Sequence, residues 1–269
     1  MSVLLQISDP HFGTEQAPVV DALLTLAHAQ RPDLVVLSGD ITQRARRAQF
    51  AAARRFVERL APSALLAIPG NHDIPLFNLV ARLLWPYAGY RRAFGDDHAP
   101  VHEDASMLVL GVDTTRRWRH VDGEVSAAQV EAVAARLRRA APDQLRVVVT
   151  HQPLHVPSAG DAHNLLHGHE RALRRWAESG ADIVMGGHIH LPYVRTLNVY
   201  GGVQGRTLWC VQAGTAVSSR TRREAPNSVN LLRYDPRGRS CHVERWDYAA
   251  GSGFGRVDTV AIAPDRRGA

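Results

Sequence analysis

The amino-acid sequence predicts an α/β sandwich, with strands and helices alternating through the first two thirds of the chain. Three observations support this prediction. Short aliphatic runs end in Asp, Gly or His, helix-like repeats separate these runs, and closely spaced β-rich segments follow His190. Strands that are covered on both faces have continuous apolar character, and their alternation with helices is typical of α/β sandwiches.

The first part of the chain contains six aliphatic runs with the length of buried strands. They are Val3–Ser8, Leu34–Ser38, Ala64–Ile68, Met107–Val112, Leu145–Thr150 and Asp182–Met185. Apolar residues at helical spacing predict helices from Val20 to Ala27, from Phe50 to Leu60, over Ala127–Ala140 and from Leu173 to Ala177. Ser126 and Gln129 have the spacing of a capping box before the third of these helices, and Gly180 is expected to end the fourth.

After His190 the pattern becomes β-rich, and no further helix is predicted. The segments are Tyr193–Tyr200, Leu208–Ala213, Val229–Tyr234 and Cys241–Tyr248, separated by Gly, Pro and Arg turns. We expect them to form a second sheet that packs on the first. The sequence thus predicts one domain over residues 1–250, followed by a Gly- and Arg-rich, partly ordered extension over residues 251–269.

Composition narrows the class of protein. Of 269 residues, 45% are hydrophobic and 22% charged, which is ordinary for a globular chain. No apolar stretch is long enough to span a membrane, and the first residues lack the basic region of a secretory signal, so we expect a cytoplasmic protein without a membrane partner. The net charge of +6 comes from arginine alone and favours anionic substrates, but dispersed arginines do not separate nucleic acid from small phosphates.

Five polar clusters follow predicted strands. They are Asp9-Pro-His11, Gly39-Asp40, Gly70-Asn71-His72-Asp73, Thr150-His151 and Gly187-His188-Ile189-His190. The carboxyl ends of strands in an open α/β sheet converge on one edge, so these side chains can meet in one crevice. Oxygen and imidazole ligands suit Mn, Fe, Zn or Co, whereas Cys210 and Cys241 do not have the spacing of a thiolate site.

One such cluster alone is weak, because a short Asp-x-His or Gly-Asp motif is more often a turn or a helix cap. The Gly-His-x-His cluster is more specific, since alternate residues of an extended segment share a face and both imidazoles can reach one centre. All five clusters in this order, each after an aliphatic strand, predict a metal site.

This ordered series closely resembles the calcineurin-like metallophosphoesterase family, from Asp9 to His190. The resemblance implies a four-layer αββα sandwich of two mixed β-sheets flanked by helices. It also implies two divalent ions and a bridging Asp40. The first ion would be held by Asp9, His11, Asp40 and His190, and the second by Asp40, Asn71, His151 and His188. Two such ions clamp a phosphate ester and supply a shared hydroxide as nucleophile.

The resemblance also suggests residues that act beside the ions. His72 follows the ligand Asn71 and is expected to donate a hydrogen bond or proton to the phosphoryl or leaving oxygen. Asp73 is expected to orient and charge that imidazole. Asn78 and His155 are further candidates for substrate contact, from their positions alone. The stretch Ser158–His169 is either a lid or an ordinary surface loop.

Within the family, the compact size, the Asp-x-His opening and the β-rich tail look most like class III cyclic-nucleotide phosphodiesterases and related glycerophosphodiesterases. Small phosphodiesters are therefore the expected substrates, and a homodimer is a further expectation, while nucleic acid is not favoured. Lipid A precursor hydrolases are similar in size but carry arginine where this chain has His72. A phosphomonoesterase, a nuclease and a non-catalytic metal-binding module remain the alternatives.

Overall fold

The structure is a computed structural model that describes residues 1–198, 206–222, 225–238 and 240–265. In chain order the strands are β1 (Ser2–Ile7), β2 (Leu34–Ser38), β3 (Leu65–Ile68), β4 (Val101–Glu103), β5 (Met107–Gly111), β6 (Leu145–Val149), β7 (Ile183–Gly186), β8 (Tyr193–Asn198), β9 (Thr207–Gln212), β10 (Ser228–Asp235), β11 (Ser240–Ala249) and β12 (Gly253–Ile262). The helices are α1 (Ala17–Gln30), α2 (Arg47–Leu60), α3 (Leu79–Leu84), α4 (Ala88–Phe94), α5 (Ala127–Leu137) and α6 (His169–Glu178). Residues 199–200 of the predicted segment Tyr193–Tyr200, and residues 266–269 of the predicted extension, lie outside the described residues.

Two six-stranded mixed sheets form the centre of the molecule, as expected. The first has the order β12-β11-β10-β1-β2-β3, with β1, β2 and β3 parallel and the remaining strands antiparallel to their neighbours. The second has the order β4-β5-β6-β7-β9-β8, with four parallel strands between antiparallel edges. The fold class predicted from the sequence is therefore confirmed.

Three apolar layers separate the four layers of the sandwich. One lies between the first sheet and α1, α2 and α4, with Leu23 and Phe56 facing Leu5. The second lies between the two sheets, where Val36 and Val147 belong to one cluster. The third joins the second sheet to α5 and α6. Because each parallel strand contributes to two of these layers, both of its faces are apolar, and this produces the continuous aliphatic runs of the sequence.

The β-rich tail does not form a sheet of its own, and that expectation was wrong. Strands β8 and β9 extend the second sheet, whereas β10, β11 and β12 extend the first through the pairing of β10 with β1. Gly253–Ile262, assigned from the sequence to an extension, form the edge strand β12 paired with β11. Both faces of this edge strand are largely exposed, so its sequence lacks the apolar run that marks an inner strand.

Three short elements were not predicted. The helices α3 and α4 have six and seven residues, and β4 has three, so none offers enough turns or alternations to produce a periodic signal. Among the helices of the described residues, none combines the length and the apolar character that crossing a membrane requires.

Candidate metal centre

Seven side chains predicted as metal ligands lie together at the carboxyl ends of parallel strands from both sheets. They are Asp9 and His11 after β1, Asp40 after β2, Asn71 after β3, His151 after β6, and His188 and His190 after β7. All are buried except His188, which is partly exposed. The structure thus brings together residues that are separated by up to 181 positions in the chain.

One group consists of Asp9, His11 and His190, whose ligand atoms lie within 4.8 Å of one another. The Nε2 atoms of the two imidazoles face each other at 3.1 Å, and Asp9 Oδ1 lies 3.2 Å from His190 Nε2. His190 Nδ1 donates to the carbonyl of Arg220 at 2.6 Å, which turns Nε2 inward. A hydrogen bond of this kind on the far nitrogen is typical of metal-binding histidines.

A second group consists of Asp40, His151 and His188, with Asn71 beside it. His151 Nε2 lies 3.2 Å from Asp40 Oδ1 and 3.3 Å from Asn71 Oδ1. Its Nδ1 donates to the carbonyl of Ser38 at 2.9 Å, so this ring is also fixed from behind. The rings of His151 and His188 meet edge to face at 5.2 Å.

The carboxylate of Asp40 lies between the two groups. Its Oδ1 faces His151 and also accepts the backbone N–H of His72 at 2.8 Å, while Oδ2 lies 3.7 Å from His11 Nε2. Each oxygen therefore faces a different set of imidazoles. This is the position that a bridging carboxylate of a dinuclear site requires.

The chemistry of these side chains fits divalent cations. Among the described residues, the buried His188 Nδ1 has no hydrogen-bond partner, and Asp9 Oδ1 accepts no hydrogen bond of regular geometry. Buried polar atoms are normally hydrogen-bonded, so these two atoms are available to a cation. Carboxylate and amide oxygens together with imidazole nitrogens are a set that borderline divalent metals accept.

The pKa values divide the histidines into two kinds. Burial lowers the pKa of His11 to about 3 and of His188 to about 4. Burial also disfavours the cation of His151, but the charge and hydrogen bond of Asp40, the charge of Asp9 and the carbonyl of Ser38 together raise the pKa of His151 to about 9. Burial alone would raise the pKa of Asp40, but His151 and His72 hold it well below its usual value. His11 and His188 therefore offer free lone pairs, whereas His151 must lose a proton to bind a metal.

The backbone is strained at these residues. Non-glycine residues of the described chain with positive φ include Asp9, His11, Asp40, His188 and His190, with φ from 43° to 70°. The other three are Arg31, Ala45 and Ala61, of which Arg31 and Ala61 end helices. Left-handed conformations cost about 1–3 kcal/mol at such residues and concentrate at functional sites. Their occurrence at five of the seven predicted ligands supports a shared function.

Two glycines allow the strand ends to approach each other. Gly39 has a φ of 92°, and a Cβ on it would overlap the ring of His151. A Cβ on Gly70 would overlap the backbone nitrogen of Asp40. Alanine at either position would therefore push apart the side chains of the site.

His72 lies at the edge of the site and is partly exposed. Its Nδ1 lies 2.8 Å from the carbonyl of Gln43, so Nδ1 carries the proton and Nε2 faces the cavity. His72 Nε2 is 3.9 Å from Asp40 Oδ2. His72, His11 and Asp40 also lie close enough together for all three to bind one metal ion. The assignment of His72 as a catalytic group rather than a ligand therefore stays a prediction.

Asp73 does not contact the His72 imidazole, and the expected orienting contact is absent from the hydrogen bonds of these described residues. Asp73 is buried and accepts the backbone N–H groups of Gly70, Ile41 and Thr42 at 2.7–3.0 Å. It braces the ends of β2 and β3 against each other, while the carbonyl of Gln43 orients His72. Burial, followed by the charge of Asp40, raises the pKa of Asp73 to about 6.

Asn78 and His155 lie outside the cavity beside the ligands. The Asn78 side chain accepts the N–H of Ala81 at 2.9 Å and caps α3, a role for which Asn is well suited. His155 contacts the hydroxyl of Tyr193. The structure therefore does not bring these two residues to the candidate site.

A cavity of about 370 Å³ opens beside the ligands. Its walls include Asp40, Asn71, His72, Val121, Asp161, His163, Asn164, His188, Ile189, His190, Arg220 and Arg222. Residues Ala159–Asn164 of the stretch Ser158–His169 form a 3₁₀ turn beside it, and Asp161 pairs with Arg222, which also lines the cavity. The stretch thus contributes Asp161, His163 and Asn164 to the wall of the cavity.

Arg220 is a site residue that the sequence did not single out. Its Nη1 lies 3.3 Å from His72 Nε2, 3.5 Å from His11 Nδ1 and 3.1 Å from the side-chain oxygen of Gln43. It follows the last cluster by 30 positions, lies in no motif and is one of many arginines, so no local signal distinguished it.

Comparison with known proteins shows which proteins this chain resembles. The family model for calcineurin-like phosphoesterases matches residues 2–192. A probable cyclic nucleotide phosphodiesterase of Synechococcus sp. is 25% identical over 202 residues, which are 71% of this chain and 74% of that protein. A cAMP/cGMP dual specificity phosphodiesterase of Mycobacterium tuberculosis is 26% identical over 258 residues, which are 87% and 76% of the two chains.

Among solved structures, a dimetal phosphatase from Danio rerio superposes with a TM-score of 0.69. It is 16% identical and covers 98% of this chain and 99% of its own. A purple acid phosphatase from yellow lupin (Lupinus luteus) superposes with a TM-score of 0.71 at 15% identity, over 97% of this chain and 53% of that one. At these identities the likeness shows the fold.

Proposed function

Because this chain belongs to the calcineurin-like phosphoesterase family, we propose that it is a dinuclear metal-dependent phosphodiesterase acting on small phosphodiesters, of the cyclic-nucleotide or glycerophosphodiester type. The observation that carries the proposal is the convergence of seven polar side chains, from five strand ends, around the central carboxylate of Asp40. The names of the relatives in Synechococcus sp. and Mycobacterium tuberculosis support the choice of phosphodiester over phosphomonoester.

Two sets of residues would hold the ions. The first is Asp9, His11, Asp40 and His190, and the second is Asp40, Asn71, His151 and His188. Divalent ions bound there would neutralise the oxygens of the ester and activate water near neutral pH.

His72 would donate a proton to the leaving oxygen. The Gln43 carbonyl holds Nδ1, so the ring cannot turn freely and Nε2 points into the cavity. In its doubly protonated form, such a fixed imidazole can give the proton on Nε2 to the leaving oxygen while Nδ1–H stays bound to the Gln43 carbonyl. Asp73 would support this step indirectly, because it fixes the backbone that carries both Asp40 and His72.

Arg220 would hold a non-bridging oxygen of the ester. Its guanidinium lies at the cavity wall and has no ion-pair partner among the described residues, so its charge is available to an anion. Once His11 Nε2 binds a metal, its Nδ1 must carry the proton and can no longer accept from Arg220. Arg220 would then be free to turn toward a bound phosphoryl group.

The size of the cavity supports a small substrate. A volume of about 370 Å³ falls within the range of small-molecule pockets, of roughly 300–1,000 Å³. A mononucleotide or a glycerophosphodiester would fit there. Imidazole, amide and guanidinium groups on its walls can bind both the phosphate and polar groups of the alcohol.

The test is reconstitution of activity with metal. Protein stripped by a chelator is expected to be inactive on bis-p-nitrophenyl phosphate and to regain hydrolysis with Mn²⁺ or another divalent ion. Cyclic AMP, 2′,3′-cyclic nucleotides, glycerophosphodiesters and phosphomonoesters, compared on the same preparation, would then identify the substrate class. Inactivity on every ester with every divalent metal would contradict the proposal and favour a non-catalytic metal-binding module.

A further inference from the structure

The short helix α3 has its apolar side chains toward solvent and a charged side chain toward the protein interior. Its outward side chains are Leu79, Val80, Leu83 and Leu84, each more than half exposed, whereas Arg82 is buried at 4% exposure. Water-soluble helices normally place their apolar stripe on the core and their charged residues outside. An exposed arrangement of this kind is unfavourable unless something covers it.

Arg82 fixes the helix in this orientation. Its guanidinium donates to the carbonyl of Arg117 at 2.6 Å, to the carbonyl of Pro75 at 3.1 Å and to the carbonyl of Arg119. Rotation of α3 to bury its leucines would leave this buried cation without acceptors, at a large cost. The apolar face is therefore held outward by the fold.

Neighbouring residues enlarge the exposed face. We call it the apolar hook, and it consists of Phe77, Leu79, Val80, Leu83, Leu84, Trp85, Trp118 and Val121. Eight of the eleven large apolar side chains that are exposed in the described chain belong to it. Contiguous apolar surface at this density marks an interaction site, unlike apolar residues scattered singly.

Two arginines border the part of the hook formed by Phe77 and α3, whereas Asp122, beside Val121, pairs with Arg119 and His167. The Arg44 guanidinium lies 5.6 Å from the centre of the Phe77 ring, and Arg117 Nη1 donates to the carbonyl of Leu83. Neither arginine forms an ion pair within the part of the chain that the structure describes. The chain has no carboxylate between Asp73 and Asp96.

The hook is continuous with the mouth of the metal centre. Val121 belongs both to the hook and to the wall of the cavity. Arg44 Nη1 lies 3.4 Å from His72 Nδ1, and Asn71 donates to the carbonyl of His120 at 3.3 Å. Any surface that covers the hook would therefore lie directly at the entrance to the site.

We propose that the apolar hook inserts into the surface of a bilayer rich in anionic phospholipids and holds the cavity mouth against the headgroups. Leucine and tryptophan on one face with arginines at the border are the features of interfacial anchors. Arginines near an anionic leaflet add electrostatic attraction. This revises the expectation from sequence that the protein has no membrane partner, because the inverted helix has no signature in composition.

The charges argue against a second copy of the chain as the occupant. A two-fold interface brings the same patch of both subunits together. The arginine-bordered faces of both copies would then meet, with no carboxylate between Asp73 and Asp96 to compensate their charge. An anionic surface supplies the missing negative charge, whereas self-association does not.

The test is co-sedimentation with vesicles, performed on metal-free protein so that its result does not depend on the proposed activity. Vesicles of equal parts phosphatidylglycerol and phosphatidylcholine are compared with pure phosphatidylcholine. Two arginines at the surface should make binding to the anionic vesicles about 30-fold tighter, since each contributes about fivefold. Leu83→Glu combined with Leu84→Glu should abolish binding, and Arg117→Gln should weaken it about fivefold on anionic vesicles only.

Val257→Glu is the matched control, because Val257 is similarly exposed but lies on β12, outside the hook. It should bind as the wild type does. Sedimentation velocity of the wild type and of the double glutamate variant shows whether the hook joins two copies instead. A wild-type dimer that the double variant converts to a monomer, without vesicle binding, would overturn the proposal, as would equal binding by wild type and double variant.

Discussion

His72 contacts the carbonyl of Gln43 on one side and faces the cavity on the other, so a single substitution can test its role. Its Nδ1 is held by the Gln43 carbonyl, and its ring is partly exposed, with Nε2 facing the cavity. A group that transfers a proton typically contributes about 100- to 10,000-fold to the rate. We expect His72→Ala to lose activity in this range while the protein still binds two metal ions.

Metal analysis of the purified variant checks this prediction. Substrates with a good leaving group, such as p-nitrophenolate, should be affected less than alkyl esters, because they need less protonation in the transition state. Loss of one ion from His72→Ala would refute the assignment and make His72 a ligand, in agreement with its distance from Asp40 and His11.

Arg220 is proposed to bind the phosphoryl group of the substrate, and its substitution tests this role. If its guanidinium binds a phosphoryl oxygen, Arg220→Ala should reduce kcat/KM by about 10- to 100-fold, the equivalent of a charged hydrogen bond of about 1.5–3 kcal/mol. Metal content should not change. Guanidinium ion added to the solution should restore part of the activity of Arg220→Ala, which a structural defect would not permit.

Arg92→Ala serves as the control, since Arg92 is exposed on α4 and does not line the cavity. An Arg220→Ala variant with wild-type kcat/KM would show that the arginine only contacts the histidines of the site.

A buried carboxylate joins β10, β11 and β12, the three strands of the tail that extend the first sheet. Glu244 on β11 is 3% exposed and accepts from Trp246, from Arg233 on β10 and from Arg256 on β12. Burial acts to raise the pKa of Glu244, but these three partners together lower it below its usual value. Because the folded state has the lower pKa, Glu244 stabilises the fold above the pKa of the unfolded chain, near 4.5.

We therefore expect Glu244→Gln to lower the free energy of unfolding at neutral pH by about 1–3 kcal/mol. The difference from wild type should shrink as pH falls through the folded pKa of Glu244, since the wild type then loses the same charge. Denaturant unfolding from pH 7 to pH 3 measures this. Glu131→Gln is the control, because Glu131 pairs with Arg175 at the exposed surface and should contribute little. A constant difference across this range would contradict the prediction.

The arrangement of the strands explains why the sequence predicted the proposed ligands but not Arg220. Every proposed ligand follows a strand by two to four positions, so local motifs singled out all of them without knowledge of the fold. Arg220 reaches the site by a different route. The chain leaves the second sheet after β9 and enters the first at β10, and the connection between them carries Arg220 past the metal centre. That path depends on which sheet each tail strand joins, and apolar patterns indicate strands without indicating their neighbours.

For Asp73, the sequence predicted a place in the site but not the contacts of the side chain. Its place next to His72 in the motif suggested contact between their side chains, but successive residues of a 3₁₀ turn point in different directions. The carboxylate therefore turns back to the N–H groups of Ile41 and Thr42. Adjacency in sequence predicted the right location and the wrong partner.

At the scale of the whole molecule, the metal centre joins the two sheets. Asp9, Asp40 and Asn71 follow strands of the first sheet, whereas His151, His188 and His190 follow strands of the second. Ions bound between them would hold both halves of the sandwich and would bind the folded chain only. Ligands that bind the native state alone stabilise it by about 2.7 kcal/mol per site at 100 times the dissociation constant.

Chelation should therefore lower the melting temperature of the protein, and Mn²⁺ or another divalent ion should restore it. For a chain of this size, about 2.7 kcal/mol corresponds to a shift of roughly 5–10 °C. Asp40→Asn is the informative variant, because loss of the bridging charge weakens both sites at once, so its melting temperature should respond little to metal. Without metal the same variant should be less stable than the wild type, because asparagine leaves the buried imidazole of His151 without its carboxylate partner. Calorimetry with and without chelator measures all four states, and an Asp40→Asn variant that responds to metal like the wild type would show that Asp40 does not bridge the ions.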